Sequence, residues 1–318
     1  MSTTASRHGQ FDDYVIDFAA ERLLMGQRVA LVTLVAIDGS SPRPLGAQMA
    51  VSETGDWTGY LSGGCVERAV VTEALDVLSA GQDRRVRYGK GSKYIDIQLP
   101  CGSAIELYFH VDFAPEAILS VSKNLQDRCS TSISIPSELN GKSITRVYTP
   151  ARRLIVAGLG PAAVQLAMVA SISGFETELH SPDQPTLAAV VNEKIRIHTL
   201  SIGRTPDFKA DERTAFAFMF HDHEWERDLI PAALASGAFY IGALGSFRTH
   251  IKRIESLSAL GFDRNVLDRI SGPAGLLPAR KSASDIAVSI LAEIMQADAA
   301  LQRPLISSEH INGSHQVD

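Results

Sequence analysis

A strand followed by a glycine-rich turn in the second half of the chain places the tightest limit on the fold. Residues 152–157, RRLIVA, are typical of a short buried strand. Residues 158–163, GLGPAA, match G-x-G-x-x-A and precede a helix predicted over 164–173. The glycines permit a tight turn and let a pyrophosphate approach the start of the helix closely. This order predicts a Rossmann unit, with Gly158 and Gly160 as candidate cofactor-binding residues.

The same segment leaves the binding of a dinucleotide open. A carboxylate is expected about 20 positions after the turn, where it would bind the ribose hydroxyls. The strand predicted over 176–180 instead ends in His180, and Asp183 is the nearest carboxylate beyond it. NAD(P) or another nucleotide is therefore one interpretation of the turn. Glycines that serve only the close contact of strand and helix are the other.

Strands and helices continue to alternate after this turn and predict a doubly wound parallel sheet. The predicted elements are strands over 194–200, 215–220 and 239–243 and helices over 224–236, 246–260 and 282–302. Polar residues follow these strands, at the edge where such sheets bind ligands. Gly245 and Ser246, with Arg248 and His250 in the next helical turn, predict an anion site or, alternatively, a helix N-cap.

A second turn of this kind lies in the first half of the chain, in GYLSGGCVERAVVTEA over residues 59–74. A short apolar run leads into Gly63 and Gly64, and helical apolar spacing begins after Cys65. The unpaired amides and the dipole at a helix start attract anions and favour a thiolate over a thiol. The turn therefore predicts a reactive thiol beside a phosphate-binding loop. The alternative is a sharp turn in which Cys65 is a small buried residue.

A stiff loop, DGSSPRPLG, follows a buried strand predicted over 28–37. Its two prolines limit its motion, and the flanking glycines let it turn. Arg43 on such a loop suits bidentate recognition of a phosphate or carboxylate, and Ser40 lies beside it in sequence. The alternative is that Arg43 pairs with a local carboxylate such as Asp38 or Glu53.

A third turn, PCGS, places Cys101 between strands predicted over 95–99 and 104–110. Cys65 and Cys101 each follow a predicted strand, so they are the candidate reactive, or catalytic, thiols. Cys129 ends a predicted helix without such a setting, and we expect it to contribute to core contacts. Three cysteines without a C-x-x-C pair indicate neither a disulfide framework nor a zinc finger.

A length of 318 residues favours two domains. We place an N-terminal α/β domain with a mixed sheet at 1–148, a Rossmann-like domain at 149–304 and a polar tail at 305–318. Residues 130–150 are rich in Ser, Thr and Pro and are predicted to be a connector. The other predicted elements are helices over 11–26 and 114–128, a helix that ends near 80, and strands over 47–52, 57–61 and 84–88.

Charge and apolar patterning exclude several classes of partner. The formal charge of −6 and an isoelectric point near 5.9 argue against a nucleic-acid surface. The first residues, MSTTASRHGQFDDY, lack the apolar core of a signal peptide. The chain contains no apolar run of the ~18–20 residues that a bilayer span requires. These features predict a cytoplasmic protein that binds neither nucleic acid nor membrane.

Ordered motifs over roughly residues 15–297 resemble the XdhC/CoxI family, the accessory factors of xanthine dehydrogenase and related molybdenum hydroxylases. In the first half these motifs are Gly39-Ser40-Ser41-Pro42-Arg43 with Gly46, Gly59 with Gly63-Gly64-Cys65-Val66-Glu67, and Cys101-Gly102. In the second half they are Gly158 with Gly160, His221-Asp222, residues 240–246 (YIGALGS), residues 272–276 (GPAGL) and residues 286–294 (IAVSILAEI).

The resemblance implies an N-terminal domain that binds molybdenum cofactor (molybdopterin) and a Rossmann-like second domain. Such proteins protect the cofactor while a cysteine desulfurase supplies its sulfido ligand, deliver it to an apo molybdenum hydroxylase, and are often homodimers. In this chain Arg43 and the amides of 62–65 would then hold the phosphate. Cys65 or Cys101 would ligate molybdenum or carry a persulfide. Glu67 would bind a pterin nitrogen or simply favour the helix dipole.

Two other classes of function compete with this one. An NAD(P)-dependent oxidoreductase would use the turn at 158–163, with His221 or His223 as acid/base. A scaffold would bridge desulfurase and hydroxylase without binding cofactor. His221 and His223 are spaced i, i+2 with no third ligand in view, so we interpret them as strand and helix caps and predict no metal site.

Overall fold

A computed structural model describes residues 15–62, 64, 66–92, 103–136, 143–220, 223–277, 281–301 and 305–306. The chain divides into two compact units. The first comprises residues 1–150 together with 304–318, and the second comprises 151–303. Each unit contains one main β-sheet covered by helices, which confirms the α/β class predicted from the sequence.

In the described part of the first unit, five strands form a sheet in which every pair of neighbours is antiparallel, rather than mixed as the sequence predicted. Its strands are β1 (Val29–Asp38), β2 (Gln48–Ser52), β3 (Trp57–Gly59), β4 (Arg84–Gly89) and β5 (Ala104–His110), in the order β3-β2-β1-β5-β4. The strand predicted over 95–99 lies outside the described residues. The central strand β1 is buried on both faces, which explains its unbroken apolar run.

Both faces of this sheet are covered. The covering elements are α1 (Val15–Leu24), α2 (Glu67–Ala80), α3 (Pro115–Gln126) and the hairpin of β6 (Thr131–Pro136) and β7 (Ser143–Tyr148). Val32 and Leu34 of β1 share one core cluster with Val70 of α2. Leu31 lies on the opposite face, in a cluster with Ile118 of α3 and residues of α1. Alternate residues of β1 thus serve two cores, as the period of a strand requires.

Within residues 130–150, β6 and β7 pair as antiparallel strands, so the predicted connector was wrong. Ser132, Ile133, Ser134 and Ile135 alternate polar and apolar side chains, the period of a half-buried strand, and Ile135 is fully buried. The polar composition obscured this short alternation. The hairpin is also anchored in the first unit through Tyr148, which donates to Gln48 Oε1 of β2 at 2.9 Å.

The second unit contains six parallel strands in the order β10-β9-β8-β11-β12-β13, the arrangement of a Rossmann fold. Its elements are β8 (Arg153–Gly158), α4 (Pro161–Ile172), β9 (Glu176–Ser181), α5 (Gln184–Ala188), β10 (Ile195–Thr199), β11 (Thr214–Met219), α6 (His223–Leu234), β12 (Tyr240–Ala243), α7 (Phe247–Ala259), α8 (Arg264–Leu267), β13 (Ile270–Ser271) and α9 (Ala283–Ala300). The predicted parallel, doubly wound sheet is confirmed.

The two faces of this parallel sheet are buried by different helices. Leu154 and Val156 share a cluster with α4 and α9, while Ile155 and Ala157 share another with α6, α7 and α8. The central strands β8 and β11 therefore consist entirely of buried residues, because helices cover both of their faces. None of the helices in the described part of the chain is both long and apolar enough to cross a lipid bilayer.

We expect Tyr148→Phe to lower the free energy of unfolding by about 1–3 kcal/mol, because it leaves the buried Gln48 carbonyl without its donor. Burial raises the pKa of Tyr148 to about 12, so the phenol remains a donor at neutral pH. Urea unfolding measures the change. Ser134→Ala, at an exposed position of the same hairpin, is the control and should stay within about 0.5 kcal/mol of wild type. Equal stabilities of the two variants would contradict this anchor.

Candidate functional site

The loop that joins β1 to β2 is held at both ends. Gly39 has a φ of +92°, and a Cβ there would lie 3.0 Å from the Cβ of Ser103, which precedes β5. At the other end, the Nε of Arg146 donates to the carbonyl oxygen of Gly46 at 2.7 Å. Ser40 lies exposed between these two anchors. The loop is therefore fixed against the sheet and the β6–β7 hairpin.

Arg43 projects from this loop onto Tyr60, which follows β3. Its guanidinium carbon lies 4.0 Å from the centre of the Tyr60 ring, and its Nη1 donates to the Tyr60 hydroxyl at 2.8 Å. The two carboxylates that could have paired with it are engaged by other arginines: Asp38 by Arg87 at 2.6 Å and Glu53 by Arg28 at 3.1 Å. The structure thus brings Arg43 beside the start of the glycine turn.

The turn that follows β3 is organised by the carboxylate of Glu67, the first residue of α2. Its Oε1 accepts from the amides of Leu61 at 3.0 Å and Ser62 at 2.8 Å, and its Oε2 accepts from the amide of Val66 at 3.1 Å. The Ser62 hydroxyl donates to the same carboxylate at 2.9 Å. Burial alone would raise the pKa of Glu67, but these hydrogen bonds hold it below its ordinary value.

This arrangement changes the predicted role of two residues. The amide of Ser62 is committed to Glu67, so a phosphate cannot use it without displacing the carboxylate. Glu67 itself is only 2% exposed, which favours a part in shaping the turn over contact with a pterin. Gly64 has a φ of +115°, and a Cβ there would meet no atom of the described residues within 4 Å. The described part of the chain therefore leaves the side of the turn at Gly64 open to a ligand.

The cysteines differ in what the structure describes. Cys65, Cys101 and Gly63 lie outside the described residues. Ser103, which follows the predicted turn of Cys101, has its Cβ against Gly39 at the start of the loop of Arg43. Cys129 is exposed, and the expected contribution to the core was wrong. It lies past the last buried turn of α3, and none of the apolar clusters formed by the described residues includes it.

In the second unit, Gly158 serves close contact between strands. A Cβ at Gly158 would lie 2.5 Å from the Cβ of Met219 on β11. Gly160 has a φ of +81°, and its amide donates to the Thr186 hydroxyl at 2.8 Å. That hydroxyl donates in turn to Asp183, whose side chain also caps α5. Sequence reasoning missed Thr186, although Asp183 three residues before it is a recognisable N-cap signal.

The predicted anion site after β12 is organised as a helix cap. The Ser246 Oγ accepts from the amide of Thr249 at 3.1 Å, and Ser246 is the N-cap of α7. Gly245 has a φ of +145°, and a Cβ there would lie 2.7 Å from the Thr249 side chain. These contacts favour the capping alternative over anion binding. His221 and Asp222 lie outside the described residues, and His223 begins α6.

Comparison with known proteins places these features in a class. The fold is that of an α/β protein with one antiparallel unit and one Rossmann unit. The family described as XdhC and CoxI matches residues 23–89, and the family described as XdhC Rossmann domain matches residues 154–294. The molybdenum cofactor insertion chaperone PaoD of Escherichia coli K12 is 34% identical over 301 residues, 89% of this chain and 88% of PaoD. The chain therefore belongs to the XdhC/CoxI family.

Two more distant proteins share this architecture. A probable xanthine dehydrogenase subunit of Bacillus subtilis 168 is 25% identical over 315 residues, which cover 85% of this chain and 93% of that protein. A solved structure described as a xanthine dehydrogenase from Bacillus halodurans superimposes with a TM-score of 0.73 at 21% identity, covering 90% of this chain and 96% of that one. The structural likeness supports the fold.

We expect Glu67→Gln to lower the free energy of unfolding by about 1–3 kcal/mol. The side-chain NH2 group of Gln would replace one carboxylate oxygen and would face a backbone N–H that now donates to that oxygen. Chemical denaturation measures the change. Asp76→Asn removes the same charge from an exposed position of α2 and is the matched control. If both variants unfolded like the wild type, Glu67 would not hold the turn.

The pH dependence provides a second measurement of the same interaction. The pKa of Glu67 is lower in the folded protein than its ordinary value of 4.5. The ionised carboxylate therefore stabilises the fold fully above pH 4.5, and this stabilisation is lost as the pH falls through the pKa of the folded state. The stability difference between wild type and Glu67→Gln should therefore be constant near neutrality and shrink in acid. A difference that grew on acidification would contradict the assignment.

Proposed function

We propose that this protein is a molybdenum cofactor chaperone. In this proposal its first unit binds the cofactor, protects it while a cysteine desulfurase supplies the sulfido ligand, and delivers it to an apo molybdenum hydroxylase. Two relatives support this proposal: PaoD, described as a molybdenum cofactor insertion chaperone, and the probable xanthine dehydrogenase subunit of Bacillus subtilis. Membership of the XdhC/CoxI family supports it over most of the chain.

The observation that carries the proposal is the meeting of Arg43 with the turn shaped by Glu67. Tyr60 contacts the guanidinium of Arg43 and directly precedes Leu61, whose amide is bound by Glu67. A planar guanidinium on an anchored loop is suited to a phosphate, and the open side of Gly64 lets a ligand approach the backbone. The two elements come from distant parts of the chain, yet each is held by the fold independently of a ligand. That preorganisation favours binding over a packing role.

The chemistry of the cargo fits these residues. Molybdenum cofactor is a pterin dithiolene that carries a phosphate, so it needs an anion contact and soft ligands near the metal. Arg43 would hold the phosphate, Ser40 would lie beside it, and Cys65 or Cys101 would supply thiolate. Glu67 would act through the turn, since its carboxylate already accepts four donor groups there.

We expect Arg43→Ala to weaken binding of molybdenum cofactor by about 10- to 100-fold, which corresponds to the loss of a charge-assisted hydrogen bond. Cofactor released anaerobically from a purified hydroxylase is titrated into the protein, and bound pterin is measured by fluorescence after ultrafiltration. Lys123→Ala removes a cation from an exposed position of α3 and is the control. The loss should be largest at low salt. Unchanged affinity in Arg43→Ala at low salt would reject the phosphate contact.

The proposed role of the cysteines is tested by measuring delivery of the cofactor to an apo-hydroxylase. We expect Cys65→Ser or Cys101→Ser to reduce the activity of an apo-hydroxylase reconstituted with carried cofactor, cysteine desulfurase and cysteine. Cys129→Ser changes an exposed thiol and should deliver like the wild type. If both single variants delivered sulfurated cofactor as well as the wild type, neither thiol would have the proposed role.

The competing functions differ in what the purified protein binds. An oxidoreductase would bind NADH saturably and transfer hydride, whereas a scaffold would bind desulfurase and hydroxylase without cofactor. Titration of NADH and of released cofactor into the same preparation separates the three. The Gly160 amide is engaged by Thr186 and the acidic residue of the ribose position is absent, so the observations favour the chaperone. A homodimer, the remaining expectation, is measured by light scattering.

A further inference from the structure

The Rossmann unit contains a group of metal-ligating side chains that the cofactor chemistry does not use. Glu178 and His180 lie two positions apart on β9 and therefore share one face of the sheet. His198 of β10 is the register partner of His180 in the parallel pairing of these strands. Potential ligand atoms of all three side chains lie within 4.8 Å of one another. We call these three residues the β9–β10 cluster.

Two of the three separations between ligand atoms in the cluster are close to those around a coordinated metal. His180 Nε2 lies 3.1 Å from Glu178 Oε2, and His198 Nε2 lies 3.6 Å from the same oxygen. A tetrahedral ion with nitrogen and oxygen ligands at about 2.0–2.1 Å separates its ligand atoms by roughly 3.4 Å. The two observed distances lie on either side of that value. The three residues come from strands, which hold side chains more rigidly than loops do.

Burial leaves the cluster closed on one side and open on the other. The His180 side chain is 5% exposed and packs edge-on against Phe208, with ring centres 5.2 Å apart. The His198 side chain is 45% exposed on the edge strand and stacks on His180 at 4.4 Å. Its ring can therefore turn toward an ion without disturbing the core. Solvent on that side supplies the remaining ligands, as in zinc sites with three protein ligands.

The surrounding charges leave one carboxylate oxygen for the ion. Arg196 Nη2 lies 2.7 Å from Glu178 Oε1, and Arg153 approaches the same oxygen at 3.8 Å. The other oxygen, Oε2, faces the two imidazoles. The buried Nδ1 of His180 has no hydrogen-bond partner among the described residues, whichever ring nitrogen carries the proton. A metal bound through Nε2 requires the ring proton on Nδ1 and replaces the 3.1 Å hydrogen bond between Nε2 and Glu178 Oε2.

We propose that Glu178, His180 and His198 bind a divalent transition-metal ion of the zinc class. Two imidazoles and a carboxylate are borderline ligands that suit zinc, nickel and copper better than magnesium or calcium. The site lies at the end of β9, where a dinucleotide-binding domain would hold the ribose. All three residues belong to the second unit, and the inference does not rest on the proposed function of the first.

Zinc titration of the full-length protein tests this site. The protein is stripped with a chelator, and zinc chloride is added in competition with a chromophoric chelator. We expect saturable binding in the micromolar range or tighter and at least a tenfold weaker affinity in His198→Ala, since even changes outside the ligand set cost about 10–100-fold. His198→Gln is a second variant, and thermal unfolding of the metal-free proteins verifies that both remain folded.

Controls separate this site from other zinc ligands. A His221→Ala, His223→Ala double variant should bind zinc like the wild type. Cobalt substitution should produce visible bands of a nitrogen and oxygen site without the near-ultraviolet thiolate band that Cys65 or Cys101 would add. Absence of saturable zinc binding, or equal affinity in both folded His198 variants and the wild type, would overturn the proposal. A thiolate band that persists with full affinity in those variants would assign the zinc to the cysteines instead.

Discussion

The buried carboxylate of Glu67 determines the shape of the turn on which the first unit depends. A helix start exposes unpaired amides, and in a ligand site those amides would meet an anion from outside. Here the chain supplies its own anion, because Glu67 accepts from the amides of Leu61, Ser62 and Val66. These hydrogen bonds need no ligand. In the proposed function, a phosphate would be held by neighbouring groups, among them Arg43, whose guanidinium lies over the Tyr60 ring.

Much of the fold could be predicted because its signals are local. The parallel sheet follows from apolar strands, a glycine turn and helical spacing, each readable within about ten residues. The prediction failed at residues 130–150, where Ser and Thr dominated the composition and the alternation of Ile133 and Ile135 extended over only one short strand. In the first sheet the β2–β3 hairpin is local and was predicted, whereas β1 pairs with β5 from far along the chain, so the antiparallel pairing of those two strands could not be read locally.

The sequence predicted individual residues of the candidate site but not the contacts between them. Arg43 and the glycine turn were recognised from loop chemistry, but 17 positions separate Arg43 from Tyr60, and no local pattern links them. The Thr186 hydroxyl accepts a hydrogen bond from the amide of Gly160, which is 26 positions away in the sequence. The β9–β10 cluster requires the register of two strands, since His180 and His198 are opposite only when β10 pairs in parallel with β9. The sequence shows which residue types are present and how they are spaced along the chain. The register between paired strands decides which of these residues come into contact.

The second unit keeps the strand order of a dinucleotide-binding domain, while the chain itself supplies a partner for the amide of Gly160 and a cap for α7. The hydrogen bond from Gly160 to Thr186 contributes only about 0.5–1.5 kcal/mol net, or roughly tenfold in affinity, so it cannot by itself close the turn to a pyrophosphate. The larger change lies at the ribose end. His180 occupies the strand end where a carboxylate would accept both ribose hydroxyls, and Oδ2 of Asp183 is engaged by Thr186. A site that binds the ribose hydroxyls loses far more affinity when the carboxylate that accepts from them is missing than when one backbone amide of the turn already has a partner. If this unit has lost nucleotide binding, the missing carboxylate at the ribose position is therefore the main cause. Glycine is still required at position 158, because a Cβ there would collide with Met219.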